Sequence, residues 1–327
     1  AKMVPIVEPE VLMDGSHNID KCYQVTTNVL NECYNELEIH KVDLKGTVLK
    51  PNMVIPGSEC KDKSNAEEIA KKTLDCLKKN VPSEVPGIAF LSGGQSEIES
   101  SKNLNEINKI NDSNFLITFS YGRGLQASAL KEFGKNQENT ENIQKAFNHR
   151  ALVQEAKMVP IVEPEVLMDG SHNIDKCYQV TTNVLNECYN ELEIHKVDLK
   201  GTVLKPNMVI PGSECKDKSN AEEIAKKTLD CLKKNVPSEV PGIAFLSGGQ
   251  SEIESSKNLN EINKINDSNF LITFSYGRGL QASALKEFGK NQENTENIQK
   301  AFNHRAKMNG LSSKGEWSEE LEKEFAA

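Results

Sequence analysis

The chain has 327 residues, with 39 Lys and Arg against 48 Asp and Glu, a formal net charge of −9, 37% apolar residues and 6% aromatics. This is the composition of an ordinary globular chain, which excludes fibrous and disordered classes. Lysines scattered among glutamates also lack the clustering that polyanion binding requires. No apolar run approaches the roughly 20 residues of a membrane helix, and no charged-then-apolar leader opens the sequence. Neither nucleic acid nor a membrane is therefore expected as a partner, and a cytoplasmic location is expected.

Residues 1–151 recur without a single change at 156–306, an offset of 155, joined by Leu152-Val153-Gln154-Glu155. Such a period is far too long for a solenoid repeat or a propeller blade, so each copy is a domain or half of one. Perfect identity implies a very recent duplication, an assembly artefact or a deliberate duplication. The expected organisation is 1–155, 156–305 and a C-terminal tail at 306–327. The eight cysteines form no C-x-x-C pair and the six histidines no H-x-x-x-H, so free, mostly buried thiols are expected rather than disulfides or a metal site.

In chain order, the first element of each unit is a short apolar run, Val4-Pro5-Ile6-Val7. A helix follows, with Cys22, Val25, Val29, Cys33 and Leu37 on one face. A second run, Gly46-Thr47-Val48-Leu49, leads to Ser64-Asn65-Ala66-Glu67, which reads as a capping box ahead of Ile69, Thr73, Cys76 and Leu77. The third run is Gly87-Ile88-Ala89-Phe90-Leu91, with a helix after Ser96. The fourth is Phe115-Leu116-Ile117-Thr118-Phe119, with helices at about 125–131 and 138–149. All four runs read as buried parallel strands. Positions 146–158, with no Gly or Pro, read as a helix feeding the second copy. Four strand–helix alternations per unit give eight in the chain, the count that closes an α/β (β/α)8 TIM barrel from two identical (β/α)4 halves.

Barrel chemistry is built at strand C-termini. There the sequence offers Glu8 and Glu10, then Lys50, then Ser92-Gly93-Gly94, then Ser120-Tyr121-Gly122-Arg123, with Glu163, Glu165 and Lys205 repeating the first set. A lysine leaving an apolar strand is expected to be desolvated, which frees its amine to attack a carbonyl. Glycines admit backbone N–H groups to a phosphate, and an arginine adds a forked charged clamp. Leu91-Ser92-Gly93-Gly94-Gln95 also spells an ATP-binding-cassette signature, but no G-x-x-x-x-G-K-[ST] string accompanies it. Ser58-Glu59-Cys60-Lys61 matches S-x-x-K without its companion motifs.

Four stretches together resemble the class I fructose-1,6-bisphosphate aldolases, in that family's order. They are Val4-Pro5-Ile6-Val7-Glu8-Pro9-Glu10, Gly46 through Val54, Phe90 through Glu97, and Thr118 through Leu130. The resemblance implies that Lys50 and Lys205 are Schiff-base lysines and that Glu8 and Glu163 are acid/base glutamates. It assigns substrate phosphate to Ser92, Gly93, Ser120, Gly122 and Arg123, and to Ser247, Gly248, Ser275, Gly277 and Arg278. It further implies retro-aldol cleavage of fructose 1,6-bisphosphate to dihydroxyacetone phosphate and glyceraldehyde 3-phosphate, with no cofactor or metal because an iminium serves as the electron sink. Each unit resembles only the family's second half. The first half's aspartate, second lysine and arginine have no counterpart, so the alternative is a duplicated half-barrel that folds and binds phosphate without efficient catalysis. Identical halves also allow homo-oligomers or half-barrel swapping.

Overall fold

The computed structural model describes residues 5–120, 128, 131, 132, 134–136 and 161–323. They fall into two compact units that divide between positions 152 and 153. In the first unit, β1 (Ile6–Val7), α1 (Ile19–Ile39), β2 (Val48–Leu49), α2 (Ala66–Asn80), β3 (Gly87–Phe90), α3 (Glu97–Ile110) and β4 (Leu116–Phe119) alternate. The strands pair in parallel in the order β1-β2-β3-β4, each joined to the next by a segment that contains a helix. The second unit repeats this with β5 (Ile161–Val162), α4 (Ile174–Ile194), β6 (Val203–Leu204), α5 (Ala221–Asn235), β7 (Gly242–Phe245), α6 (Glu252–Ile265) and β8 (Leu271–Phe274). It continues through α7 (Gly277–Lys290), α8 (Thr295–Ser312) and α9 (Glu319–Lys323). The architecture is a TIM-barrel-like α/β fold.

Local chemistry starts the helices. The Asn18 side chain accepts from the Lys21 amide at 2.9 Å, and Asn65 accepts from that of Glu68 at 2.9 Å. Asn65, rather than the expected Ser64–Glu67 pair, therefore caps α2. Either residue type serves as an N-cap, and the helix begins one residue later than the S-x-x-E reading requires. A full capping box does form at Ser96 and Glu99, and again at Ser251 and Glu254.

The buried stripe of α1 is Ile19, Cys22, Thr26, Leu30 and Tyr34. The expected stripe shares only Cys22 with it; Val25, Val29 and Cys33 are half-buried beside it and Leu37 packs partly on the core. The stripe is displaced because Thr26 and Tyr34 bury apolar bodies despite their polar tips, and a count of purely apolar residues overlooks them. On α2, the expected face of Ile69, Thr73, Cys76 and Leu77 is buried as read. All eight cysteines are free thiols, six of them buried.

The strands are not buried on every face. Leu49, Ile88 and Phe90 are core residues, whereas Ile6 and Leu116 are exposed, Leu116 by 73%. Both lie on the outer strands of their four-stranded order, where alternation points successive side chains to opposite faces. The helices expected at 125–131 and 138–149, and the continuous segment at 146–158, lie almost wholly outside the described residues. Their counterparts in the second copy fall in α7 and α8. Among the described residues, no helix is long and apolar enough to cross a membrane, and no cluster of His, Cys, Asp or Glu is arranged to hold a metal ion.

Candidate active site

Parallel pairing in register brings the first two candidate residues together. Val7 faces Leu49 across the β1–β2 ladder, and the Lys50 amide donates to the Val7 carbonyl at 2.7 Å. The next residue on each strand, Glu8 and Lys50, therefore leaves the C-terminal edge at the same height. Their side chains meet, with Lys50 Nζ 2.8 Å from Glu8 Oε1. The second unit repeats the geometry, with Lys205 Nζ 2.8 Å from Glu163 Oε1. The expected desolvation of the lysine is only partial: its side chain is 20% exposed and its carboxylate partner 45%. What the site supplies is a proton acceptor in direct contact with the amine. Glu10 and Glu165 are exposed, and the lysines pair with Glu8 and Glu163 instead.

The next two strands carry the expected anion loops to the same edge. The Leu91 amide donates to Pro51 O at 3.0 Å, extending the ladder past Lys50, and the Ser120 amide donates to Phe90 O at 2.9 Å. Between them, Gly93 and Gly94 adopt φ of +55° and +75°, a left-handed turn that side-chain-bearing residues adopt at a cost. Gln95, a residue that motif reading passed over, braces this turn. Its Nε2 donates to Ser92 O at 3.1 Å, and its Oε1 accepts from buried Asn103 at 2.6 Å. The available signal was a glutamine directly after a glycine pair, with an amide partner eight residues on. Ser247, Gly248 and Gln250 repeat the arrangement.

Gly122 and Arg123 lie outside the described residues, but Ser275, Gly277 and Arg278 are described. Ser275 follows β8, its amide bonded to Phe245 O at 2.9 Å. Gly277 and Arg278 form the exposed first turn of α7, whose N-cap, Tyr276, makes no side-chain capping bond. The first amides of that helix are thus left for solvent or an anion, at the positive end of the helix dipole. Tyr276 instead turns inward and donates to Asn309 Oδ1 at 2.9 Å, and burial pushes its phenol well above the usual range. Gly279 makes room for that ring: a Cβ there would sit 2.3 Å from Tyr276 Cε2.

Each unit thus assembles a lysine–carboxylate pair and a glycine turn after its third strand, and the second unit adds the glycine-bearing first turn of α7. A family model described as class I fructose-bisphosphate aldolase matches residues 1–153 and again 151–327. Among curated relatives, cytosolic fructose-bisphosphate aldolase 4 of Arabidopsis thaliana is 47% identical over 192 residues, which is 57% of this chain and 49% of that protein. Fructose-bisphosphate aldolase B of Sparus aurata is 47% identical over 178 residues, 54% of this chain and 49% of that protein. The chain spans about half the length of the curated relatives it matches. A fructose-bisphosphate aldolase structure from Plasmodium falciparum aligns over 96% of this chain and 91% of that one, with a TM-score of 0.55 and 24% identity, a likeness of fold. With its family model matched twice along the sequence, the chain belongs to the class I fructose-bisphosphate aldolase family.

Proposed function

We propose that this chain performs Schiff-base aldol chemistry on a phosphorylated ketose, cleaving fructose 1,6-bisphosphate to dihydroxyacetone phosphate and glyceraldehyde 3-phosphate. The observation that carries this is the lysine–glutamate contact at the C-terminal strand edge, present at 2.8 Å in both units. Glu8 takes the ammonium proton, and the freed Lys50 amine adds to the substrate ketone. Return of protons to the carbinolamine oxygen expels water and leaves an iminium. That cation accepts the electron pair of the breaking C3–C4 bond, the C4 hydroxyl gives its proton to the Glu8 carboxylate, ionised again once water has left, and the aldehyde leaves. The enamine is then reprotonated at carbon and hydrolysed. Ser92, Gly93 and Ser120, with Ser247, Gly248, Ser275, Gly277 and Arg278, hold phosphate through backbone amides, hydroxyls and one guanidinium.

In this reading each unit is the family's C-terminal half, and the two halves together fill the place of one (β/α)8 barrel. Support comes from the alignment of nearly the whole chain with one aldolase structure. Relatives nonetheless reach 47% identity over little more than half of it. A cytoplasmic location accords with the cytosolic relative.

A second reading is a scaffold that forms the iminium but cleaves poorly. It is favoured by the span of about half the relatives' length, because misplacing a reacting group by about 1 Å can cost on the order of 10²-fold.

Intact mass after incubation with dihydroxyacetone phosphate and borohydride tests both readings. A reduced adduct on the chain, lost when Lys50→Ala and Lys205→Ala are combined, is expected. Because the two copies yield identical peptides, the single variants must locate it. Turnover of fructose 1,6-bisphosphate by the adduct-forming chain supports the first reading and its absence the second. A folded chain with no adduct overturns both.

A further inference from the structure

Identical helices in the two units have different surroundings. In the second unit the outer face of α6 is covered by the last residues of the second copy and the segment that follows it. Ser256 Oγ is 3.0 Å from Asn309 Oδ1 and accepts from Arg305 at 3.2 Å; Asn260 Oδ1 accepts from the Trp317 amide at 2.9 Å; Asn263 Nδ2 donates to Ser312 O at 3.1 Å. Gly315, at φ +72°, turns the segment over Lys264, where a Cβ would sit 3.2 Å from the lysine stem. Ser256 and Asn260 are consequently 0% and 1% exposed, with Leu259, Met308 and Ser312 fully buried among them.

On α3 the same positions are Ser101, which is half-buried, and Asn105 and Asn108, which are exposed. Their side chains already hold the arrangement that the segment meets on α6. Asn105 Nδ2 reaches Glu106 Oε1 at 3.3 Å, as Asn260 reaches Glu261 at 3.1 Å. Asn108 Nδ2 reaches Ile117 O at 3.4 Å, as Asn263 reaches Ile272 O at 3.3 Å. The sequences part after Ala151 and Ala306. The positions matching Met308, Asn309, Ser312, Gly315 and Trp317 hold Val153, Gln154, Lys157, Pro160 and Val162, so the first copy carries no such segment.

We propose that the outer face of α3 is a preorganised docking site for a second copy of this segment, residues 306–323, presented by another molecule. The chain has two receptors and one segment. Its own segment is held at α6 by the buried Arg305, whose guanidinium makes paired bonds of 2.9 and 2.8 Å to Glu322. A segment supplied in trans therefore finds α3 as its acceptor, because exchange at α6 must first break that pair.

A fluorophore-labelled synthetic peptide of residues 306–323, titrated into the full chain, tests this by anisotropy. Saturable binding with one peptide per chain is expected. It should weaken about tenfold or more in Asn105→Leu and in Ser101→Leu, which alter exposed or half-buried positions, and in the peptide carrying Trp317→Ala. The Asn260→Leu chain should still bind. No saturable binding, binding indifferent to both α3 variants, or binding lost only in Asn260→Leu would each overturn the proposal.

Discussion

At the scale of residues, the proposed chemistry turns on the contact between Lys50 and Glu8. In the proposed mechanism the carboxylate 2.8 Å from the amine, on a lysine side chain 20% exposed, removes the proton that blocks attack. Replacing Glu8→Gln and Glu163→Gln together should slow borohydride-trapped adduct formation by about 10²-fold while leaving the fold intact, since neither carboxylate is buried and glutamine keeps the side-chain shape. A rate within about threefold of the unchanged chain would show that water serves as the acceptor. The thiols make a separate prediction. Burial pushes Cys22, Cys76, Cys177 and Cys231 up, so the folded chain resists ionising them, whereas the unfolded chain ionises them near pH 8.5. Their contribution is whole below that pH and is lost as pH rises toward the folded values. The thermal midpoint should therefore fall steadily from pH 8 to pH 10, and a flat profile would contradict the burial of these groups.

At the scale of elements, the segments that follow β1 and β2 are locked together backbone against backbone. Gly57 lies in the segment after β2 and packs against the segment after β1: a Cβ there would sit 2.2 Å from Gly15 O and 2.9 Å from His17 Nδ1. The amides of Gly57, Ser58 and Glu59 bond to His17, Met13 and Gly15 carbonyls at 2.8 to 3.0 Å. Gly57→Ala must therefore separate the two segments, and a loss of about 2 kcal/mol or more in urea unfolding is expected. The caps give a sharper comparison. Asn65→Ala should cost about 1 kcal/mol and Ser64→Ala almost nothing, because only Asn65 accepts a helix amide. The reverse order would restore the S-x-x-E reading.

At the scale of the whole molecule, the two copies are a natural control for context. The same helix sequence is half-covered in one unit and buried in the other because only one is followed by Met308, Ser312 and Trp317. Burial works against the charge on Glu322, but hydrogen bonds from Arg305 and Trp317 prevail and hold its carboxyl below the usual range. That stabilisation is present above the ordinary glutamate value and lost as pH falls through the lowered one. Arg305→Ala leaves the carboxylate without its partner and should cost about 3 kcal/mol. Trp317 is the only tryptophan, so its fluorescence should report the second unit loosening at lower urea in Arg305→Ala. Coincident, unshifted transitions would show that the pair adds nothing.

The sequence by itself determined the repeat, the strand and helix order, the family motifs and the set of residues at the strand ends, because all of these are local in the chain. Turn glycines, helix periods and strand runs carry their meaning within a few residues. Position in the chain left Glu8 and Glu10 equal candidates and only the family resemblance favoured Glu8; the tertiary structure shows which carboxylate meets the lysine. Glu8 and Glu10 are equally close to it in sequence, and parallel register alone brings Glu8 to 2.8 Å. Tertiary packing also chose the buried stripe of α1 and the cap of α2, where Thr26, Tyr34 and Asn65 compete with neighbours of similar propensity. The difference between α3 and α6 had no local trace at all. Their sequences are identical, and the free energy of burying Asn260 and Leu259 comes from residues more than 40 positions away.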